Sequence, residues 1–516
     1  MNCLFFRRAA ICFAAASFFI LLPLLQASDG GSSANAVDTS STPPPAVASI
    51  LINPNAATAP ISDSFIGFSL ILSETQFMVG TSVSNMNPMF EQLIRNITQY
   101  QTMPMQLREL SDKVYTSQTS ASLPALAQLS ANTGVKYFIG VDLVDGDPSI
   151  AASQTSTVLS SIPASNVLEW ELGNEPDLYV SNKQKTSDNW NYSIYLDQYQ
   201  NQFAPAILTA GEGIKLSAPV LAGFATSWLG GLNTFVTNHT STLGMVNLHY
   251  YPGSACSGHT ENSDFLLSES AITNRNTAPD NMTGYVANMR AAGLNNLRIG
   301  EMNSIACGGQ DGVSNSFSSA LWALDVGMRF ANAGVTGINF FTSSSNTSYY
   351  SPFNFVRSGS FPNTQYLSPK VNPLYYGILM LAETLQNHGA LLPASVTSDS
   401  QSIKAWAVRD TCGTIRLLLI NKDQNVGGNI NVTLSGRGLA TTTHLTALNF
   451  QSKSGVTLAG QTFDGSPDGT IQGTYMVDTV SPDNGVYSVN VPSVSAELLT
   501  VPSANEVEVE HFSCRK

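Results

Sequence analysis

The stretch Val167–Tyr179, V-L-E-W-E-L-G-N-E-P-D-L-Y, decides how the rest of the chain is read. Val167, Leu168, Trp170 and Leu172 suit a short buried parallel strand. Gly173 permits a close or unusual backbone approach, and Pro176 stops the strand just past Glu175. A carboxylate therefore stands at the C-terminal edge of a strand, with the Asn174 amide beside it and aromatic residues nearby. Sugar cleavage needs such a set: a proton donor for the leaving oxygen and a hydrogen bond to a ring hydroxyl. The same turn also admits a plainer role for Glu175, as a loop glutamate capping the next helix.

A second segment repeats this grammar. Asn296–Ser304, N-L-R-I-G-E-M-N-S, is again a strand ending on a glutamate, Glu301. Outward from these two, strands are expected at Phe65–Ile71, Met105–Glu109, Lys136–Asp142, Val167–Leu172, Lys215–Leu221, Met245–Tyr250, Leu297–Gly300 and Gly337–Phe341. Helix-like segments separate them, as at Asn87–Tyr100, where Phe90, Leu93 and Ile97 have helical spacing. This alternation predicts an α/β fold, a (β/α)8 TIM barrel whose catalytic groups lie at the C-terminal strand ends. Glu175 follows the fourth strand and Glu301 the seventh, which can bring their carboxyls to the ~5–5.5 Å separation of double displacement. An open doubly wound sheet is the alternative, and it would not set those strands across one pocket. From about Leu391 the pattern changes to short alternating runs, Ser402–Val408, Ile415–Asn421, Ile430–Leu434 and Val486–Val491, the signature of a C-terminal β-sandwich.

The chain has 516 residues, enough for a large catalytic domain and a smaller one. Its formal charge is −13, yet only 11% of residues are charged, well below the usual quarter, which suits an extracellular protein. That balance speaks against nucleic acid and anionic membranes as partners, since both demand clustered Lys and Arg. An acidic substrate must be held by local donors. Arg7 and Arg8, the apolar run Ala9–Leu25, and Ala27 read as a secretory signal over 1–27. A membrane anchor is the rival reading, but the run falls short of a comfortable ~20-residue span. Residues 28–49 form a flexible linker by composition. The barrel is expected over 50–390, with 50–54 lent to the β-domain as a strand, the sandwich over 391–505 and a charged tail over 506–516. Beyond the signal, four cysteines remain, Cys256, Cys307, Cys412 and Cys514, without metal-ligand spacing. Cys256 follows the sixth strand and Cys307 the seventh, neighbours in a barrel, so they can be bridged across the rim in an oxidising compartment or stay as two buried thiols. Asn-X-Ser/Thr sites at Asn96, Asn191, Asn238, Asn281, Asn346 and Asn431 permit glycosylation.

The two glutamate segments, with G-F-S ending at Ser69 and H-Y-Y at His249–Tyr251, resemble glycoside hydrolase family 79, the β-glucuronidases and heparanases of a large retaining clan. The resemblance spans nearly the whole mature chain. It implies that Glu175 is the general acid/base and Glu301 the nucleophile. It also implies that Asn174 donates to the sugar 2-hydroxyl, where the plainer role is an Asx turn, and that the Tyr250 phenol holds Glu301. Tyr251 is then expected to pack on the opposite strand face, and His249 either lines the pocket or takes the commoner role of a satisfied structural residue beside an apolar strand. In the family a tyrosine and glycine amides after the nucleophile bind the substrate carboxylate, with a tyrosine after the eighth strand. Here Gly308 and Gly309 match, Cys307 stands where the first tyrosine is expected, and Tyr349 or Tyr350 can supply the second phenol. The second strand, L-R-E-L-S-D at Leu107–Asp112, lacks the family's paired glycines, leaving Arg108 and Asp112 as rim contacts. Asp142 is expected to bind a sugar hydroxyl or cap the next helix. Thr462–Gly465 and Ser488–Leu499 resemble the family's C-terminal domain, expected to buttress the barrel, with a carbohydrate-binding module as the alternative role.

The function that follows is a secreted, retaining exo-β-glucuronidase removing terminal glucuronate or 4-O-methyl-glucuronate from glycans such as arabinogalactan side chains. It implies a uronate-bearing carbohydrate as partner, no metal or organic cofactor, no nucleic acid, and no membrane once the signal is removed. Two rivals stand beside it: a glycosidase of the same clan for a neutral sugar, which the Cys307 departure favours, and a non-catalytic polysaccharide-binding wall protein, which needs neither carboxylate.

Overall fold

The computed structural model describes residues 46–56, 59–224, 226–273 and 275–503. The signal at 1–27, most of the linker and the tail at 506–516 lie outside the described residues. Among the described residues no helix is long and apolar enough to cross a membrane.

Eight parallel strands close into a barrel: β1 (Ile66–Ile71), β2 (Gln106–Leu110), β3 (Lys136–Val141), β4 (Val167–Leu172), β5 (Leu216–Leu221), β6 (Leu243–Tyr250), β7 (Leu297–Met302) and β8 (Gly337–Phe341). Helices alternate with them, as in Pro88–Thr98, where the Asn87 side chain caps the first turn at Met89 N–H (3.1 Å) and Phe90, Leu93 and Ile97 face the core. One boundary matters for chemistry. β7 continues to Met302, so Glu301 lies within a strand, whereas Glu175 stands three residues past β4.

Period-two alternation splits each strand between the helix layer and the barrel interior. In β4, Trp170 bonds outward to the Gly211 carbonyl (3.3 Å), while Glu169 and Glu171 turn in. The interior is polar, unlike the branched aliphatic layers common in such barrels. A lower layer holds Arg298, whose Nε donates to Asn339 (2.5 Å) and whose Nη atoms reach the Ser64 and Phe65 carbonyls, with Glu169 close by. Above it lies Arg108 with Glu171, Asn247 and Ser69. Burying the upper layer is tolerable because Arg108 meets Glu171 and several hydrogen bonds, whereas in the lower layer burial pushes Glu169 up to about 7 against the opposing pull of Arg298.

The C-terminal domain is a sandwich of two sheets. In the larger sheet, β9 (Ile403–Arg409), β10 (Ile415–Asn421), β11 (Ser495–Val501) and their neighbours run antiparallel. All seven residues of Ile415–Asn421 are buried, because one face meets the second sheet and the other the barrel's outer helices. The second sheet includes a strand from the other end of the chain, Ala48–Ile52, paired with Ala394–Ser398 and Gly428–Thr433. That strand starts at Ala48, a correction to the expected linker end at 49, because Val47 N–H already bonds to Asn429. Barrel and sandwich are joined by a buried ion pair, Lys422 on Asp325 of the Phe317–Ala333 helix (2.7 Å). Burial opposes charge on Asp325, yet Lys422 and Arg329 hold its carboxyl below the ordinary range. Asn96, a glycosylation candidate, is buried and donates to the Gly469 carbonyl (2.9 Å), so it is not a free acceptor.

Candidate active site

The turn after β4 bends sharply. Gly173 (φ 71°) and Glu175 (φ 53°) are both left-handed, a conformation that a glutamate adopts only when its surroundings enforce it. A Cβ at Gly173 would lie 2.6 Å from the Tyr179 hydroxyl, so only glycine fits. Five hydrogen bonds hold the turn: Asn174 N–H on that hydroxyl (3.3 Å), Leu178 N–H on the Glu175 carbonyl (2.8 Å), Trp190 Nε1 on the Pro176 carbonyl (2.7 Å), and two to the Asp177 carboxylate, from Ala222 (3.0 Å) and Gly223 (3.3 Å). Glu175 is thereby aimed over the barrel mouth.

Its carboxyl meets His249 Nδ1 at 2.8 Å, and Glu301 lies across the mouth, with one ligand atom of each of Glu175, His249 and Glu301 within 4.8 Å of the others. Those three groups have the spacing of a cation site. The Arg108 guanidinium, 2.5 Å from Glu301 Oε2, already places a positive charge on the same carboxylate and opposes a second one. Glu301 accepts from two donors, Arg108 at Oε2 and the Tyr251 hydroxyl at Oε1 (2.8 Å), so both oxygens are fixed. Arg108 also grips Glu171 and donates to Asn174 Oδ1 (2.9 Å), which leaves the Asn174 amide nitrogen free to donate into the mouth. Burial disfavours the Arg108 charge, but Glu171 and Glu301 outweigh that and raise its pKa above the ordinary value.

The protonation pattern is asymmetric. Burial pushes Glu175 up to about 7, against the opposing pull of Arg108 and with help from Asp112. Burial also takes His249 down to about 4, so the imidazole is neutral at physiological pH. Near neutrality the site therefore holds a carboxyl that can give a proton beside a carboxylate held by two donors. Activity that needs the Glu175 proton is expected to fall as pH rises through about 7, and a kcat/KM profile with a descending limb there checks it.

Several expectations need correction. Tyr251, not Tyr250, holds Glu301. The Tyr250 hydroxyl donates outward to the Ala271 carbonyl (2.6 Å) and its ring packs on Phe330 of the helix layer. Plain alternation along β6 turns Asn247 and His249 in, Tyr250 out and Tyr251 in, and the register shift against β7 only leaves Gly300 without a ladder partner. His249 is thus a site residue. Arg108 is no rim contact: its side chain is fully buried at the centre of the site. Asp112 accepts from Gln184 (3.2 Å). Asp142 neither lines the mouth nor caps the next helix. It is wholly buried with its carboxylate on Asp145 N–H (3.3 Å), and Asp147 caps that helix at Ser149 N–H (2.9 Å).

Beside Glu301 lies a second turn. Cys256 and Cys307 are joined by a disulfide, and Cys307, Gly308 and Gly309 all have left-handed backbones (φ 62°, 92° and 78°). A Cβ at Gly309 would lie 2.6 Å from Tyr350 N. Tyr349 closes this turn through its backbone, its N–H donating to the Gly308 carbonyl (2.7 Å). The Tyr350 ring lies between Tyr251 and Phe341. Burial and the Glu301 charge raise its phenol above the ordinary range, with the Gly308 N–H and Tyr251 hydroxyl close enough to pull the other way. Of the two candidate tyrosines, Tyr350 is the one whose phenol stands with Gly308 and the Tyr251–Glu301 pair.

Residues 405–498 match the Glycosyl hydrolase family 79 C-terminal beta domain. The chain is a glycoside hydrolase with a family 79 C-terminal domain. It is similar to a β-glucuronidase of Aspergillus niger, 24% identical over 71% of this chain and 73% of that one. A β-glucuronidase of Neurospora crassa is 23% identical over 76% and 77%. Among solved structures, the 4-O-α-L-rhamnosyl-β-D-glucuronidase of Fusarium oxysporum superposes with a TM-score of 0.69 at 21% identity, covering 87% of this hydrolase and 98% of that chain, which establishes the shared fold.

Proposed function

We propose that this glycoside hydrolase is a secreted, retaining exo-β-glucuronidase acting on terminal glucuronate or 4-O-methyl-glucuronate of a glycan. One observation carries the reading: two carboxyl groups face each other with oxygens within 4.8 Å, one poised to give a proton and the other held by Arg108 and Tyr251. That spacing suits a covalent intermediate, since inversion needs ~6.5–9.5 Å to seat a water between the groups. In the first step Glu301 attacks the anomeric carbon while Glu175 protonates the departing oxygen. In the second, Glu175 takes a proton from the water that resolves the glycosyl ester and so regenerates its acid form. The Asn174 amide is placed to bond the 2-hydroxyl, a contact that strengthens as oxocarbenium character develops. His249, neutral and bonded to Glu175, orients that carboxyl through both steps.

Selectivity for a uronate rests on the Cys307–Gly309 turn and Tyr350. Gly308 and Gly309 can turn backbone N–H groups toward an anion, and the Tyr350 phenol adds a donor. Hydrogen bonds to a charged group are worth ~1.5–3 kcal/mol each, so two or three separate glucuronide from glucoside by several orders of magnitude in kcat/KM. The test is kcat/KM for aryl β-glucuronide against aryl β-glucoside in wild type and Tyr350→Phe. A high wild-type ratio that drops at least tenfold in the variant is expected. A wild-type ratio near one overturns the uronate reading in favour of a neutral sugar, and no turnover of any glycoside favours a binding protein. The β-glucuronidase names of the similar chains support the uronate side.

A further inference from the structure

In the proposed reaction the leaving group departs on the side of the acid, so whatever surface is fixed to the Glu175 turn faces the rest of the glycan. Asp177, two residues past Glu175, clamps the backbone of Ala222 and Gly223 (3.0 and 3.3 Å). The next residue, Phe224, is 49% exposed. Arg275 lies 5.5 Å over that ring and ties back to the Tyr251 carbonyl (3.1 Å), and the Asn276 amide donates to the Gly223 carbonyl (3.0 Å). These contacts tie Phe224, Arg275 and Asn276 to the Glu175 turn through the buried backbone of Ala222 and Gly223.

Asn276 also lines a groove of about 420 Å³, together with one face of the Pro279–Ala291 helix. Asn281, Gly284, Tyr285 and Asn288 follow the i, i+3, i+4, i+7 spacing that puts side chains on a common face. A Cβ at Gly284 would meet nothing within 4 Å, so the glycine leaves a gap rather than satisfying a tight packing contact. Asn276 and Asn281 each spend an amide nitrogen on the backbone, leaving their oxygens as acceptors. The Asn288 amide and the Tyr285 hydroxyl add donors. Among the described residues no charged side chain lines the groove. Planar amides beside a half-buried aromatic ring, without charge, fit a neutral hydroxyl-rich ligand, and the volume is in the ~300–1,000 Å³ range of small-molecule sites.

We propose that this groove is a distal leaving-group subsite that binds the neutral hexose chain bearing the terminal uronate, with Phe224 as the platform between it and the acid. The inference rests on the glucuronidase reading for the direction of the chain, and its test separates the two. The probes are aryl β-glucuronide, too short to reach the groove, and glucuronosyl-galactotriose. The quantity measured is the ratio of kcat/KM for the second to that for the first, in wild type, Gly284→Gln and Tyr285→Ala. Gly284→Gln fills the groove on an exposed helix face and removes a helix-weakening glycine, so the fold is kept. The ratio is expected to fall at least tenfold in both variants, through KM of the longer substrate. An unchanged ratio in both folded variants overturns the proposal, as does peptide mapping that finds a glycan on Asn281, which would occupy the groove. If the wild type cleaves neither glucuronide, the function reading fails and galactotriose binding, followed by NMR line broadening of the trisaccharide, decides the groove alone. Binding lost in Gly284→Gln then supports it, and no binding to wild type overturns it.

Discussion

Glu301→Gln is expected to lose turnover by about 10⁴–10⁶-fold, the scale on which a nucleophile acting in concert with its partners is missed. Glutamine keeps the shape and can still offer its oxygen to Arg108. It has no carboxylate to form the glycosyl ester, so the loss belongs in kcat, with substrate affinity largely kept. The variant is to be purified, its folding checked by circular dichroism, and kcat and KM measured separately on aryl β-glucuronide. Rates near wild type would remove Glu301 from the chemistry.

Arg108→Met is expected to be the most damaging change to the fold within the site. It leaves Glu171, whose side chain is fully buried, and Glu301 without their cation. Stranding a buried charge in this way costs ~3–5 kcal/mol. Activity should vanish as well, since Glu301 and Asn174 both lose the donor that aims them. The double variant Arg108→Met/Glu171→Met separates these effects. It replaces the buried pair with apolar groups and should recover most of the stability by urea unfolding while staying inactive. A fully active single variant would show that Arg108 is not part of the machinery.

Much of this was legible in the sequence, and the misses share one physical origin. The eight barrel strands, the sandwich, and the two strand-terminal glutamates follow from apolar periodicity and turn residues, which act locally. The polar barrel interior was missed because strand residues were sorted by hydrophobicity, and Arg108, Glu171 and Arg298 are charges inside the core. A signal was available: in a chain with only 11% charged residues, Glu169 and Glu171 alternate with Trp170 and Leu172, and Arg108 and Arg298 interrupt apolar strands. Charges at strand spacing among buried residues must face one another across a closed sheet. The exchange of Tyr250 for Tyr251 has the same origin, because plain alternation along β6 puts Asn247, His249 and Tyr251 on the inward face, a pattern that polar residues mark and hydrophobicity alone does not. Asp142 failed for a related reason. β3 ends one residue earlier than expected, and Asp142 turns into its own loop.

The most direct test of the account is to trap the intermediate. A 2-deoxy-2-fluoro-β-glucuronosyl fluoride has a leaving group that needs no protonation and a fluorine that slows hydrolysis of the ester, so a retaining enzyme accumulates the covalent adduct. Intact-mass measurement should show one fluoroglucuronosyl group per chain, and peptide sequencing should place it on Glu301. A label on any other residue, or no label while aryl β-glucuronide is turned over with inversion, would contradict the account.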